Sequence, residues 1–373
     1  MDDSPRLRPA RFVLAALVAA VFVLSAPVAG QLRSQLRSSF PKQFVLIVGS
    51  AIAVLVAAAI VVALARIRAR RGARYGAMAL SLAGAVVFAR WHATGRSEVD
   101  VVELFHFVEY GIITFLFYRA WKPADDGSVF ILPVLAGLLV GTCEEWLQWF
   151  IPVRVGEMAD VFLNLAAILC GLVFSVAADP PSRFTFRLRP GSLRRIGRVA
   201  ACVVFVFAMF FQVVHIGFTI TDDEIGSFDS RYSKAELQTL QLQKRDEWHV
   251  HPLPLELHRV SREDQYMSEG VVHVQERNEA WTAGDALTAF RENQILEKYY
   301  QPVLDTPSYV SKTGHRWSPE QRSDAQEKAS TITAAPPYVS HAYPYPIVTW
   351  PATLFWGLAG MTIGALVGLP SGR

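Results

Sequence analysis

Three stretches of this chain set acids, amides and a histidine at helical spacing inside otherwise apolar sequence. In Val101-Val102-Glu103-Leu104-Phe105-His106-Phe107-Val108-Glu109-Tyr110, Glu103, His106 and Glu109 recur every third residue and Tyr110 stands four after His106. Residues three and four apart share a helix face, so these side chains make one polar stripe on an apolar rod. In Cys143-Glu144-Glu145-Trp146-Leu147-Gln148, Glu145 and Gln148 share a face, and Glu144 points aside in a direction that overlaps Gln148. A loop with Pro152 and Arg154 follows, and then Asp160 and Asn164, again four apart. Carboxylates beside an imidazole are the groups of general acid–base work. An arginine holds an anionic group, and an amide or guanidinium can stabilise developing charge.

The surrounding sequence makes these polar residues conspicuous. Of the 373 residues, 52% are hydrophobic and 18% charged, and the mean hydropathy is +0.26. The apolar residues gather in blocks of about 20, the length of a membrane-crossing helix. The blocks read as eight spans near 11–30, 43–65, 75–91, 101–121, 128–150, 158–178, 197–220 and 347–368. The first is read as a span although Arg6, Arg8 and Arg11 precede it as they would a signal peptide. An acid at the centre of a span costs about 2.5–3.5 kcal/mol on insertion scales. Five carboxylates, a histidine and an arginine are more than a static brace between helices needs.

The predicted fold is therefore all-α, a polytopic transmembrane bundle with a mainly helical insertion before the last span. Its parts are two N-terminal spans (1–74), a four-helix membrane core (75–180), a basic loop and seventh span (181–221), the insertion (222–346) and the last span (347–373). Lys and Arg in short loops mark the cytoplasmic side. They concentrate at Arg66, Arg68, Arg70, Arg71 and Arg74, and again from Arg183 to Arg198. Both termini are then expected in the cytoplasm and the insertion outside, with the chain in the inner membrane of a bacterial cell. The polar stripes lie early in the fourth span, late in the fifth and early in the sixth. Antiparallel neighbours bring all three to one end, the outer one. The sequence thus predicts one pocket holding Glu103, His106, Glu109, Tyr110, Glu144, Glu145, Gln148, Arg154, Asp160 and Asn164.

The net charge of +3 does not imply a nucleic-acid partner, because the basic residues sit in short loops beside apolar blocks. Cys143, Cys170 and Cys202 all lie in apolar blocks, which excludes a disulfide-stapled domain and a paired-cysteine zinc site. In the insertion, Ser233-Lys234-Ala235-Glu236 is a capping box opening a helix to about 248. Further helices are expected near 261–277 and 283–300, and from Ser318-Pro319 onward. Its aromatic residues Trp248, Tyr266, Trp281, Phe290, Tyr299, Tyr300, Tyr309 and Trp317 suit a small core or the lipid interface. His249, His251, His258 and His273 lack the spacing of a metal helix and read as solvated or interfacial. No metal is assigned, and no cofactor is identified.

The ordered set His106-x-x-Glu109-Tyr110, Glu144-Glu145-x-x-Gln148, Pro152-x-Arg154 and Asp160-x-x-x-Asn164 resembles the VanZ-like family of bacterial membrane proteins, over about 75–180. That family carries a His-x-x-x-Tyr helix, an Asp-Glu-x-x-Gln helix end, a Pro-Gly-Arg turn and an Asp-x-x-x-Asn helix. Here Glu144 replaces the Asp and Val153 the turn glycine. Ala167 takes a place where glycine is common, which predicts looser helix packing there, while Gly171 is retained. The first two spans, the last two and the insertion lie beyond these motifs. The family is named for a protein that accompanies glycopeptide resistance and raises resistance to teicoplanin-type antibiotics. The resemblance implies a role at the cell envelope, without implying resistance.

Three functions fit. The first is an accessory protein binding a polar headgroup, a lipid-linked precursor or a lipoglycopeptide at the outer leaflet, with membrane lipids as partners. The second is an intramembrane hydrolase or transferase. There Glu109, Glu144 or Glu145 serves as base, His106 is the acid–base partner, and Asn164 or Arg154 stabilises charge; a metal bridging His106 and the carboxylates is one form of it. The third is a proton-coupled transporter, disfavoured because no internal repeat or paired broken helices are visible.

Overall fold

A computed structural model of the chain describes residues 9–93, 95–150, 156, 158–250, 265–307, 313–331 and 337–369. Among them, seven helices are long and apolar enough to cross a membrane. These are α1 (Pro9–Ser39), α2 (Phe44–Arg66), α3 (Arg71–His92), α4 (Ser97–Trp121), α5 (Ser128–Trp149), α6 (Met158–Ala178) and α7 (Pro190–Val214). A shorter apolar helix, Ala352–Val367, follows the insertion. The chain is a multi-pass membrane protein. Its outward-facing side chains agree with that environment: Leu46, Val54 and Val61 on α2 and Leu17, Val21 and Leu24 on α1 are all exposed. Such surfaces are stable against lipid tails and costly against water.

The chain divides into two compact units. The first comprises Met1–Gln148, Gly156–Phe210 and Trp356–Arg373. Its core joins Tyr110, Ile113, Phe117 and Trp121 of α4 to Leu132 and Ala136 of α5, Ala167 and Ile168 of α6, and Ala15 and Ala19 of α1. Small residues let these helices approach, as membrane packing requires. A Cβ on Gly171 of α6 would lie 2.8 Å from the Gly111 Cα of α4. Ala167 is fully buried in this core, and a close approach of α4 and α6 is made at Gly171. Gly171→Val should therefore overpack this crossing, at a cost of about 1–3 kcal/mol. A lowered thermal midpoint of the purified protein in detergent is the expected readout, and an unchanged midpoint would refute it.

The other end of this bundle is braced by polar contacts. Arg74 donates from Nε to the Ala177 carbonyl and from Nη2 to the Ala178 carbonyl, both at 2.6 Å. A guanidinium there meets the negative end of the α6 dipole. Lys122 pairs with Asp179 at 2.5 Å. Asp126 accepts from the Ser128 amide at 3.0 Å, at the start of α5, and from the Arg189 amide at 3.0 Å. Burial pushes the Asp126 carboxyl up, but hydrogen bonds from Ser128, Arg189 and Ser192 outweigh it and hold the group below its usual range.

The second unit comprises Trp149–Val155 and Phe211–Phe355. The seventh span was expected to reach 220, but its helix stops at Val214. Thr219-Ile220-Thr221, rich in β-branched residues, forms strand β1 (Phe218–Asp222), which pairs antiparallel with β2 (Gly226–Ser230). Then come α8 (Lys234–Val250), α9 (Gln265–Ala283), α10 (Ala286–Tyr299), α11 (Gln301–Asp305) and α12 (Pro319–Ser330). The shorter apolar helix Ala352–Val367 is α13. The insertion is thus mainly helical, with a hairpin not foreseen from its sequence.

Both predicted caps form. The Ser233 amide donates to Glu236 at 2.8 Å, and Ser318 Oγ accepts from the Gln321 amide at 3.2 Å. The core of this unit includes Ile220, Phe228, Leu237, Trp248, Tyr266, Val274, Leu296, Tyr299 and Tyr300. Trp281 packs on Trp317 with ring centroids 5.4 Å apart. Tyr309, His251 and His258 lie outside the described residues, as does the His249 side chain. His273, read from the sequence as solvated or interfacial, is instead wholly buried, with Nδ1 2.6 Å from Glu292 Oε2. Its place on α9, four residues from both Glu269 and Arg277, puts it on that helix's polar buried stripe.

Candidate functional site

The site lies where α4, α5 and α6 meet within the first unit. Apolar packing fixes the rotation of each helix and so decides which polar side chains turn inward. Glycine spacing on α5 assists. A Cβ on Gly137 would sit 3.0 Å from Ile168, and one on Gly141 would sit 3.3 Å from the Tyr110 ring and 3.2 Å from Asn164 Cβ. Without those methyls, Tyr110 and Asn164 come close enough to reach the end of α5. Gly141 is a positioning residue that carries no charge to mark it. The signal was present, because Gly137-Leu138-Leu139-Val140-Gly141 has the small-x-x-x-small spacing of close membrane helix pairs.

Glu144 is the centre of the hydrogen-bond network. Tyr110 donates its hydroxyl to Glu144 Oε2, and Gln148 Nε2 donates to Glu144 Oε1 at 3.1 Å. Gln148 Nε2 also reaches Glu145 Oε1 at 3.3 Å, and Asn164 Nδ2 reaches that oxygen at 3.4 Å. Glu109, Glu144 and Glu145 are 8%, 5% and 0% exposed, and Tyr110, Gln148 and Asn164 are buried as well. His106 is half-buried, and its ring stacks on Tyr110 with centroids 6.1 Å apart at 17°. One ligating atom from each of His106, Glu109 and Glu144 lies within 4.8 Å of the other two.

The structure thus brings His106, Glu109, Tyr110, Glu144, Glu145, Gln148 and Asn164 together. Glu103 stands half-buried on α4, one turn before His106, and Asp160 stands half-buried in the first turn of α6, one turn before Asn164. Arg154 lies outside the described residues, as do Pro152 and Val153. A buried group of carboxylates, an imidazole, a phenol and two amides can accept hydrogen bonds from hydroxyls or amines, move a proton, or ligate a cation.

Fold and site together define a class: a multi-pass membrane protein with a polar site inside its helical bundle. Residues 12–179 match the VanZ/LLP1 family model, and that stretch of the chain is similar to the VanZ-like family. The match takes in the first two spans, which the motifs alone had left out. No match was found among curated proteins or among solved structures.

Proposed function

We propose that this protein binds, or acts on, a lipid-linked or polar-headgroup ligand of the cell envelope, held between α4, α5 and α6 at the outer leaflet. The observation that supports this most is the burial of Glu144 and Glu145 in one network with Tyr110, Gln148 and Asn164. Carboxylates are kept inside a span only where they meet a partner or serve a ligand. The basic loops put the opposite end of the bundle in the cytoplasm. On that basis both termini are cytoplasmic and the insertion is extracytoplasmic. Glu103 and Asp160 would line the approach, and the expectation from the sequence that Arg154 meets an anionic group is kept as part of the proposal. A link to teicoplanin susceptibility is part of the proposal and rests on the family name alone.

The direct test is binding of a fluorescent polyprenyl phosphate to the full chain in nanodiscs. Glu145→Ala should weaken binding by roughly 10-fold or more, the effect of losing one or two charge-assisted hydrogen bonds. Glu145→Gln, which keeps the shape, should retain part of it, and Glu247→Ala in the insertion should change nothing. Wild-type binding by Glu145→Ala would remove the headgroup reading.

A second reading is favoured by the amides of Gln148 and Asn164 converging on one oxygen of Glu145. Such donors orient a carboxylate for use as a general base, so the ligand would be hydrolysed or transferred rather than only held. Release of phosphate or a cleaved headgroup from the bound probe, lost in Glu145→Gln, separates this reading from binding alone.

A further inference from the structure

We propose that His106, Glu109 and Glu144 hold a divalent transition-metal ion. The inference deepens the headgroup reading, and only its last step, contact between ion and headgroup, rests on that reading.

His106 and Glu109 are three apart on α4 and so share its face. Glu144 faces them from α5, and the three ligating atoms already lie within 4.8 Å of one another. Bonds of about 2.0–2.2 Å to a four-coordinate ion put its ligands roughly 3.4 Å apart, a contraction that rotation of the long glutamate side chains supplies. Helical bundles build metal sites in this manner, from a histidine and a glutamate one turn apart plus carboxylates of facing helices. Imidazole with carboxylates suits zinc, manganese, iron or cobalt, whereas calcium and magnesium prefer oxygen alone.

The surroundings fit a ligand set. Glu144 is oriented by the Tyr110 hydroxyl and by Gln148 Nε2 at 3.1 Å, the outer contacts that fix a metal-binding carboxylate. Two glutamates brought this close in a low-dielectric bundle repel one another when ionised, and a divalent cation between them offsets that repulsion. Asn164 gives an independent observation. It is wholly buried and joined to the network through Glu145, yet its Oδ1 has no hydrogen-bond partner among the described residues. A buried acceptor of this kind calls for a donor, and a metal-bound water is one. Three protein ligands leave a further coordination position for that water or for an oxygen of an anionic headgroup.

The test uses the full chain, purified in detergent without a polyhistidine tag, stripped with chelator and dialysed against Zn²⁺ or Mn²⁺. One ion per chain is expected, with affinity falling on the order of 100-fold in His106→Ala and at least 10-fold in Glu144→Gln. His341→Ala, at an exposed histidine of the insertion, should bind as wild type. Co²⁺ substitution supplies a second readout: the wild-type visible spectrum should show low-symmetry coordination by nitrogen and oxygen. Failure of the wild type to bind an ion, or equal binding by wild type and a folded His106→Ala, overturns the proposal. Should either variant misfold, a wild-type Co²⁺ spectrum identical to that of the hydrated ion overturns it instead. Ion binding is measured without lipid, so the two readings fail separately. An ion site with no affinity for polyprenyl phosphate leaves the metal proposal standing and removes the headgroup. Lipid binding by chelator-stripped protein that takes up no ion does the reverse.

Discussion

Replacing Glu292 with alanine should destabilise the second unit by about 3–5 kcal/mol, the cost of breaking a buried charge-assisted network by removing one partner. Glu292 is wholly buried and receives hydrogen bonds from the hydroxyls of Tyr338 and Ser340, while His273 Nδ1 lies 2.6 Å from its Oε2. Without the carboxylate, a phenol, a hydroxyl and an imidazole are left in the core with an acceptor missing. The same group sets an acid limit. Burial pushes the Glu292 carboxyl up, but His273, Ser340 and Tyr338 outweigh it, so the folded protein holds the group below the usual glutamate range. A depressed carboxylate contributes stability that is present above its unfolded value and lost as pH falls through its folded one. Asp222 acts with the same sign. It accepts from the Tyr299 hydroxyl at 2.6 Å and pairs with Lys298 at 2.8 Å, and these contacts outweigh its burial and hold it far below the usual aspartate range. Pulse proteolysis across a urea series, repeated at decreasing pH, measures both effects. Glu292→Gln should lose less stability on acidification than wild type. Parallel acid loss in the two proteins would mean that Glu292 carries no part of it.

The second large effect is expected at Glu144. Glu144→Ala should weaken polyprenyl phosphate binding by on the order of 10- to 100-fold and also lower the thermal midpoint. The binding term comes from removing the carboxylate on which the α4 and α5 side chains converge. The stability term comes from the Tyr110 hydroxyl, which is fully buried and donates to Glu144. A buried donor deprived of its acceptor costs about 1–3 kcal/mol. Tyr110→Phe is the companion variant: it removes donor and bond together, so its midpoint should fall less and its probe binding should change less than 10-fold. Equal losses of binding in the two variants would assign the role to the phenol. Unchanged binding in Glu144→Ala would take Glu144 out of the site altogether.

Membrane spans are legible in sequence because length and hydropathy are properties of the chain itself, and lipid imposes the same demand on every span. The helical stripes are legible too, since the geometry of one helix puts His106, Glu109 and Tyr110 on a common side whatever lies opposite. Caps such as Ser233 and Ser318 depend on residues three apart and are equally local. The hairpin at 218–230 is not legible in sequence because Thr219-Ile220-Thr221 runs on from an apolar span, which hides its short alternation. The burial of His273 is not legible in sequence, because one histidine on a polar helix looks the same whether it faces water or a buried glutamate.

What the sequence alone determined is a bundle of about eight apolar helices, a helical insertion before the last, and polar stripes near one end of three consecutive spans. Tertiary structure decided which members of those stripes meet. It turned Glu144, whose direction along α5 was ambiguous, toward Tyr110 of α4, and it joined Asn164 to Glu145. That choice is a matter of how far each helix rotates about its own axis. The rotation is fixed by side-chain volume between helices, at Gly137 against Ile168, Gly141 against Asn164 and Gly171 against Gly111. No periodicity within a single helix carries that information, because it resides in the fit of one surface to another.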